Sequence, residues 1–234
     1  MNHPSMAGPE DPVRPESARL DDRLPIIPVG GTVVFPTALI PLSLNDPPLV
    51  RAVQAALRGG RLVVLLSLRP GRLPREGMDA PAASPFYDVG TLARILQVLR
   101  ADDGSLRALV QGLTRVDVAE TRRDDDIWSA AARARAEIPA RGGSAVLLRA
   151  AIVRALEELL DLAADEPEGA RASIASLTDL SQLADIGASN LSIPAEEKQA
   201  LLEERQVARR LERVLEALRD EASMRRLGIG GPGW

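Results

Sequence analysis

The sequence predicts an α+β fold: a curled, mostly antiparallel β unit with one early helix, followed by a helical bundle that ends in a long helix. Three observations predict it. Residues Leu24–Leu44, LPIIPVGGTVVFPTALIPLSL, are apolar and β-branched, yet Pro25, Pro28, Pro36 and Pro41 interrupt them. Proline brings no N–H to a ladder and keeps to edges, strand starts and bulges, so this stretch bends rather than running as one strand. Between Arg61 and Ile138 apolar runs alternate with turn signals such as Asp103-Gly104. From Ser144 onward the apolar period changes from two to that of a helix.

In chain order, residues 1–22 are polar and rich in proline and charge, and read as a disordered leader. It carries His3, the single histidine of the chain, a bystander in such a tail rather than a ligand or base. The opening stretch divides into extended pieces Leu24–Val29, Thr32–Phe35 and Ala38–Leu44, bent at Gly30-Gly31 and Pro36 in the manner of a sheet curling towards a barrel. Asp46 caps a helix with Pro47 in its first turn; Leu49, Val50, Val53, Ala56 and Leu57 form its apolar stripe, and Gly59-Gly60 ends it. Arg61–Leu68 is a buried strand. Residues 69–85 carry four prolines and two glycines and form a loop. Phe86–Arg100 is extended, Asp102-Asp103-Gly104 turns it, and Ser105–Val110 returns. Gln111-Gly112-Leu113 turns again into Thr114–Glu120; Arg122–Asp126 is a charged loop and Trp128–Ile138 a last strand.

The helical half begins at Ser144, as cap, and runs to Ala164 with Val146, Leu147, Ala150, Val153, Leu156, Leu160 and Leu162 inward. Pro167 and Gly169 break it. Ala170–Ala188 is a second helix with Ile174, Leu177, Leu180, Leu183 and Ala184 on one face. Ile193-Pro194 opens a short third helix, Ala195–Leu202, and a long amphipathic helix spans Gln206–Arg226. Gly228–Trp234 is a tail. The expected organisation is thus a leader to residue 22, a β-rich unit over 23–140, a helical unit over 144–227, and a tail over 228–234.

Composition removes several functions. With no cysteine, disulfides, thiol catalysis and thiolate metal sites are excluded, and a reducing cytoplasm suits the chain. A formal charge of −4 argues against nucleic acid, which needs a basic surface. Aromatics are 2% of residues, so the core is aliphatic, and Phe35, Phe86, Tyr87, Trp128 and Trp234 are too scattered to stack bases. The N-terminus has no apolar h-region and the longest clean apolar run, Leu62–Leu66, is too short to span a bilayer.

Candidate chemistry is sparse. No Gly-x-x-x-x-Gly-Lys-Ser/Thr loop is present to cradle phosphate. Lys198, the only lysine, sits among carboxylates in Glu196-Glu197-Lys198-Gln199 and reads as a charged surface residue rather than a desolvated base. Asp102/Asp103, Asp124–Asp126 and Glu157/Glu158 lack the spacing of a calcium loop and read as solvated. No catalytic, cofactor-binding or metal-ligating residue is assigned. What remains is binding: a curled sheet can take an extended peptide by strand addition or in an apolar groove. The 91–99 segment is apolar on both faces, and one of them must be covered or offered to a partner. The candidate peptide-binding residues are Phe35, Pro36, Pro41 and Leu99.

Several motifs together resemble one family. Leu24-Pro25-Ile26-Ile27-Pro28, Val33-Val34-Phe35-Pro36 and Ile40-Pro41-Leu42 look like the opening of the Lon protease N-terminal (substrate-binding) domain. Val89-Gly90-Thr91, Asp103-Gly104 and Gly112-Leu113-Thr114-Arg115 are similar to its central hairpin. Leu183-Ala184-Asp185, Glu197-Lys198-Gln199-Ala200-Leu201-Leu202-Glu203 and Arg210-Leu211-Glu212-Arg213-Val214-Leu215 are similar to its helical part. The resemblance covers residues 24–222. It implies a PUA-like pseudo-barrel joined to a helical bundle, non-catalytic, binding unfolded or partly folded polypeptides in protein quality control, for an ATP-dependent protease acting as a separate chain. The chain carries neither the ATPase module nor the Ser–Lys protease of full-length Lon proteases. The alternative reading is an adaptor or regulator that binds one native protein or small ligand with the same fold.

Overall fold

The computed structural model describes residues 19–71, 84–100, 106–163 and 169–229. The expected leader up to residue 18, most of the long loop, the Asp102–Gly104 turn, the break at Pro167 and the tail beyond Ile229 lie outside the described residues. The β unit holds β1 (Arg19–Val29), β2 (Leu39–Leu44), α1 (Pro47–Arg58), β3 (Leu62–Ser67), β4 (Val89–Arg100), β5 (Leu106–Asp124) and β6 (Ile127–Ala134). The helical unit holds α2 (Gly143–Asp161), α3 (Ala170–Ser176), α4 (Leu180–Asn190), α5 (Ala195–Glu203) and α6 (Val207–Arg226). The α+β class and the order of sheet before bundle are as the sequence predicts.

The strands lie in the order β2-β5-β4-β3-β1-β6, and β6 also pairs with β5. Five strands therefore close on themselves as a barrel, with β2 attached outside the ring on β5. Every pairing is antiparallel except β1 with β3. Strand alternation sorts the apolar residues into two cores. Leu24, Ile26, Val64, Leu66, Leu92, Val116, Ala130 and Ala132 line the barrel with Phe86, whose ring meets Trp128 edge-on at 5.3 Å. The opposite side chains, Ile27, Val29, Val63, Leu65, Ala93, Ile95, Ala108 and Val110, face α1 through Val53 and Ala56.

Long-range pairing changes several local expectations. β1 begins at Arg19, upstream of Leu24, because β6 supplies a partner at Leu20↔Ala132; the leader therefore stops short of residue 22. Thr32–Phe35 is not a strand. Its loop is tied down instead: the Thr91 hydroxyl donates to Val34 O at 2.6 Å, and Thr37 N donates to Gly112 O at 3.0 Å. Gln111–Leu113 is not a turn. β5 runs through it, and Leu113 is an extra bulged residue between the pairs Leu92↔Thr114 and Ala93↔Gly112. A Cβ on Gly112 would stand 2.5 Å from Phe35 O, so glycine lets the loop lie directly on the bulge. The charged loop is a tight turn at Asp125 and Asp126, both at positive φ, between β5 and β6.

In the bundle, Ser144 does not cap α2; its hydroxyl donates to Arg141 O, and Gly142 holds the cap position. Val146 and Leu147 are exposed rather than inward, because α2 presents Ala145, Ile152, Ala155, Leu156 and Leu159 to its neighbours. The second expected helix is two, α3 and α4. Asp179 divides them by accepting from Ser181 N at 2.8 Å as an N-cap. Gly187 brings α4 close against Val214 of α6. The bundle core also takes in Val33, Phe35 and Val89 from the β unit, so the two halves share a seam.

Candidate functional site

β2, the first part of β5 and the last part of β4 form a three-stranded sheet extending past the barrel. Cross-strand partners point to the same face, so the register gives three rows: Leu39–Gln111–Arg94, Pro41–Leu109–Gln97 and Ser43–Arg107–Leu99. A bulge between Ile95 and Gln97 puts Leu96 out of alternation beside them. No described element covers this face: Leu39 is 56% and Leu99 53% exposed, and Leu96, Pro41, Arg94 and Arg107 are exposed too. Its opposite side is sealed by Ile40, Leu42, Ala108, Val110 and Ile95 against α1. The strand spacings give a patch about 10 Å across and about 14 Å along, apolar on its diagonal and rigidly backed.

Of the four predicted residues, the structure brings Pro41 and Leu99 to this face. It does not bring the others: Phe35 is 0% exposed and Pro36 is buried. Phe35 packs into the bundle core at the seam, so the Val-Phe-Pro step is a structural wedge. Leu39 and Leu109 are members of the face that sequence reading missed; alternation from Pro41 was the signal for Leu39. β2 is the sheet's edge, and a proline in its middle interrupts the row of donors that an added strand would use, so the face rather than the edge is the available surface.

A buried ionic clasp joins the β unit to the helical unit. Arg115 of β5 donates from Nη1 to Asp185 Oδ2 of α4 at 2.8 Å, pairs through Nη2 with Asp185 Oδ1, and donates from Nε to Leu202 O at 3.0 Å. Its Nη1 also lies 3.1 Å from Glu137 Oε1. Arg210 of α6, the largest fully buried side chain, has Nη2 2.7 Å from Glu137 Oε1 and donates to Ser181 Oγ and Glu204 O. Two guanidiniums thus balance two carboxylates between barrel and bundle. Burial pushes Asp185 up against the pull of Arg115 and Arg210. Burial also opposes ionisation of Glu137, but Arg210, Arg115 and the Ser181 hydrogen bond outweigh it and hold the carboxyl below its ordinary range. Arg115, Asp185 and Arg210 each stand in a motif quoted above from distant parts of the chain, and here they meet. Gln199, buried, adds a bond from Nε2 to Val89 O at 3.0 Å across the same seam.

Lys198 departs from its expected surface role. It is half-buried, its Nζ donates to Ser189 O at 3.2 Å, and burial lowers its pKa against the opposing charge of Glu221. That partner is a backbone carbonyl, and no serine or threonine hydroxyl is hydrogen-bonded to Lys198 among the described residues. A cleft of about 450 Å³ beside Arg135, Ile138, Glu203, Arg205 and Gln206 is lined by both signs of charge, with Arg135 already committed to Asp117 and Glu203 O. Among the described residues no group of three His, Asp or Glu could hold a metal ion, and no helix is long and apolar enough to cross a membrane.

Residues 23–220 match the ATP-dependent protease La (LON) substrate-binding domain. The chain is 32% identical over 203 residues to Lon protease of Azorhizobium caulinodans, covering 86% of this chain and 23% of that protein. It is 33% identical over 210 residues to Lon protease 2 of Thermus thermophilus, covering 88% of this chain and 25% of that one. The chain therefore spans about a quarter of the length of the curated relatives it matches. Among solved structures, the N-terminal domain of Mycobacterium avium complex Lon protease superposes with a TM-score of 0.68 at 24% identity, over 85% of this chain and 99% of that one. The Lon N-terminal domain protein from Xanthomonas campestris gives 0.59 at 22%, over 83% and 98%. At those identities the likeness is one of fold.

Proposed function

The chain belongs to the ATP-dependent protease La (LON) substrate-binding domain family, and on that premise we propose that it binds unfolded or damaged polypeptides, without catalysis, on behalf of an ATP-dependent protease. The observation that carries this reading is the uncovered apolar face of β2, β5 and β4, with Leu39 and Leu99 more than half exposed over a sealed core. An unfolded chain exposes aliphatic and aromatic side chains that a folded one buries, so such a face distinguishes the two by hydrophobic contact alone. No covalent step is assigned to any residue. The absence of cysteine suits the reducing cytoplasm in which this activity would operate.

The test is fluorescence anisotropy with labelled, chemically unfolded casein-like substrate against a folded protein of similar size. The unfolded substrate should bind and the folded one should not. Leu39→Ser/Leu99→Ser should weaken binding about ten-fold or more, the effect of two lost apolar side chains, with an unchanged melting temperature. Equal binding to folded protein, or an unaffected double variant, refutes this use of the face. Turnover of ATP or cleavage of casein by the pure protein refutes the non-catalytic assignment. Capture of one native protein, competing with none of the unfolded probes, would favour the adaptor reading instead.

A further inference from the structure

We propose that the uncovered face selects polypeptide segments in which two carboxylates flank an apolar run of three residues. The inference rests on the polypeptide-binding reading above and adds the chemistry of the preferred segment. The chain as a whole is acidic, with a formal charge of −4. Among the described residues of this face the sign is reversed: the charged members are Arg94 and Arg107, and the other polar members, Ser43, Gln97 and Gln111, are neutral. Some exposed arginines elsewhere are matched to acids, such as Arg51 to Asp126, Arg69 to Asp88, Arg171 to Asp161 and Arg226 to Glu158, whereas others, such as Arg58, Arg133 and Arg154, are not. Arg94 and Arg107 have no hydrogen bond or ion pair among the described residues. Two unmatched guanidiniums, one at the β4 corner of the face and one at the far end of its middle strand β5, are complementary to an acidic-apolar partner and repel a basic one.

The register sets the spacing. Arg94 stands opposite Gln111, and Arg107 lies four residues along β5 from Gln111. With about 3.4 Å per residue along a strand and about 4.8 Å between strands, the two guanidinium-bearing positions are about 14 Å apart. An extended peptide covers that distance in four residues, which places acids at i and i+4 with the three residues between them over Leu109, beside Leu96 and Leu99 of β4.

The experiment uses the full chain and fluorescein-labelled peptides carrying Glu-Leu-Phe-Leu-Glu, the same core flanked by Gln, the same core flanked by Lys, and Glu-Glu-Leu-Phe-Leu with the acids adjacent. At low ionic strength the i, i+4 acidic peptide should bind about five-fold more tightly than the Gln peptide and more tightly still than the Lys peptide, as two exposed ion pairs allow. The adjacent-acid peptide should lose part of the gain, and 0.5 M salt should remove most of it. Arg94→Gln/Arg107→Gln should abolish the preference, so that the acidic, Gln and Lys peptides bind the variant alike, and an acidic preference that survives in the variant refutes the assignment; both arginines are exposed, and circular dichroism checks the fold. If all four peptides bind equally, the charge selection is wrong and the polypeptide-binding reading stands. If none binds, that reading fails and this inference with it.

Discussion

Removing Arg115 should test whether the ionic clasp joins barrel to bundle. In Arg115→Met, Asp185 loses both guanidinium hydrogen bonds and keeps only Arg210 Nε at 3.5 Å, while its side chain is 2% exposed. The Leu202 carbonyl loses its donor as well. The cluster changes from two cations and two anions to one cation and two anions, with Asp185 and Arg210 out of contact with water. Breaking a buried pair from one side costs about 3–5 kcal/mol, a large share of a total stability of about 5–15 kcal/mol. Arg115→Met/Asp185→Leu removes both members, leaves Glu137 paired with Arg210, and should recover most of the loss. Acid should narrow the gap. A buried carboxyl with a raised folded-state pKa is destabilising as pH rises through the window above its unfolded value of 3.8. The single variant, with Asp185 raised further, should therefore approach the parent as pH falls. The assay is urea unfolding followed by circular dichroism for the helices and by Trp128 fluorescence, in a Trp234→Phe background, for the barrel. At a slope of about 2 kcal/mol per molar urea, the midpoint should drop by about 2 M. Parent transitions should coincide, and the variant's should separate. A loss below about 1 kcal/mol, or a double variant no better than the single one, would refute the clasp.

Three further outcomes follow from the same geometry. Gly112→Ala should cost about 1–3 kcal/mol by chemical denaturation, because the new methyl meets a backbone oxygen of the 32–37 loop rather than a movable side chain; an unchanged midpoint would show that the loop is not held against the bulge. Asp179→Ala should cost about 1 kcal/mol and fray the start of α4 in amide exchange, since its carboxylate caps Ser181 N and Gln182 N. Glu137, held below its ordinary value of 4.5, contributes stability that is present above that value and disappears as pH falls through its folded pKa. Glu137→Gln should therefore flatten the acid limb of the stability–pH curve below about pH 4.5, and an unaltered limb would remove Glu137 from the account.

The elements and their order were legible from residues alone because they depend on local chemistry. Proline spacing bends Leu24–Leu44, Gly59-Gly60 ends α1, and the change of apolar period at Ser144 marks the bundle. Pro41 and Leu99 are exposed as expected, from their places on the opening strands and beside the hairpin tip, whereas plain alternation would have grouped Leu99 with Ala93 and Ile95, which the bulge between Ile95 and Gln97 leaves buried on the other side. Tertiary structure decided what local chemistry leaves open. Gln111-Gly112-Leu113 looked like a turn and became a strand with a bulge at Leu113, because β4 pairs on both sides of that residue. Phe35 looked available and is buried because the bundle, more than a hundred residues further on, closes over it. Arg115, Asp185 and Arg210 look like ordinary charges in sequence, and only the docking of α4 and α6 onto β5 takes them out of water and makes them a clasp. Periodicity reports which side chains avoid water; it does not report which distant partner removes the water, and burial of charge depends on that partner.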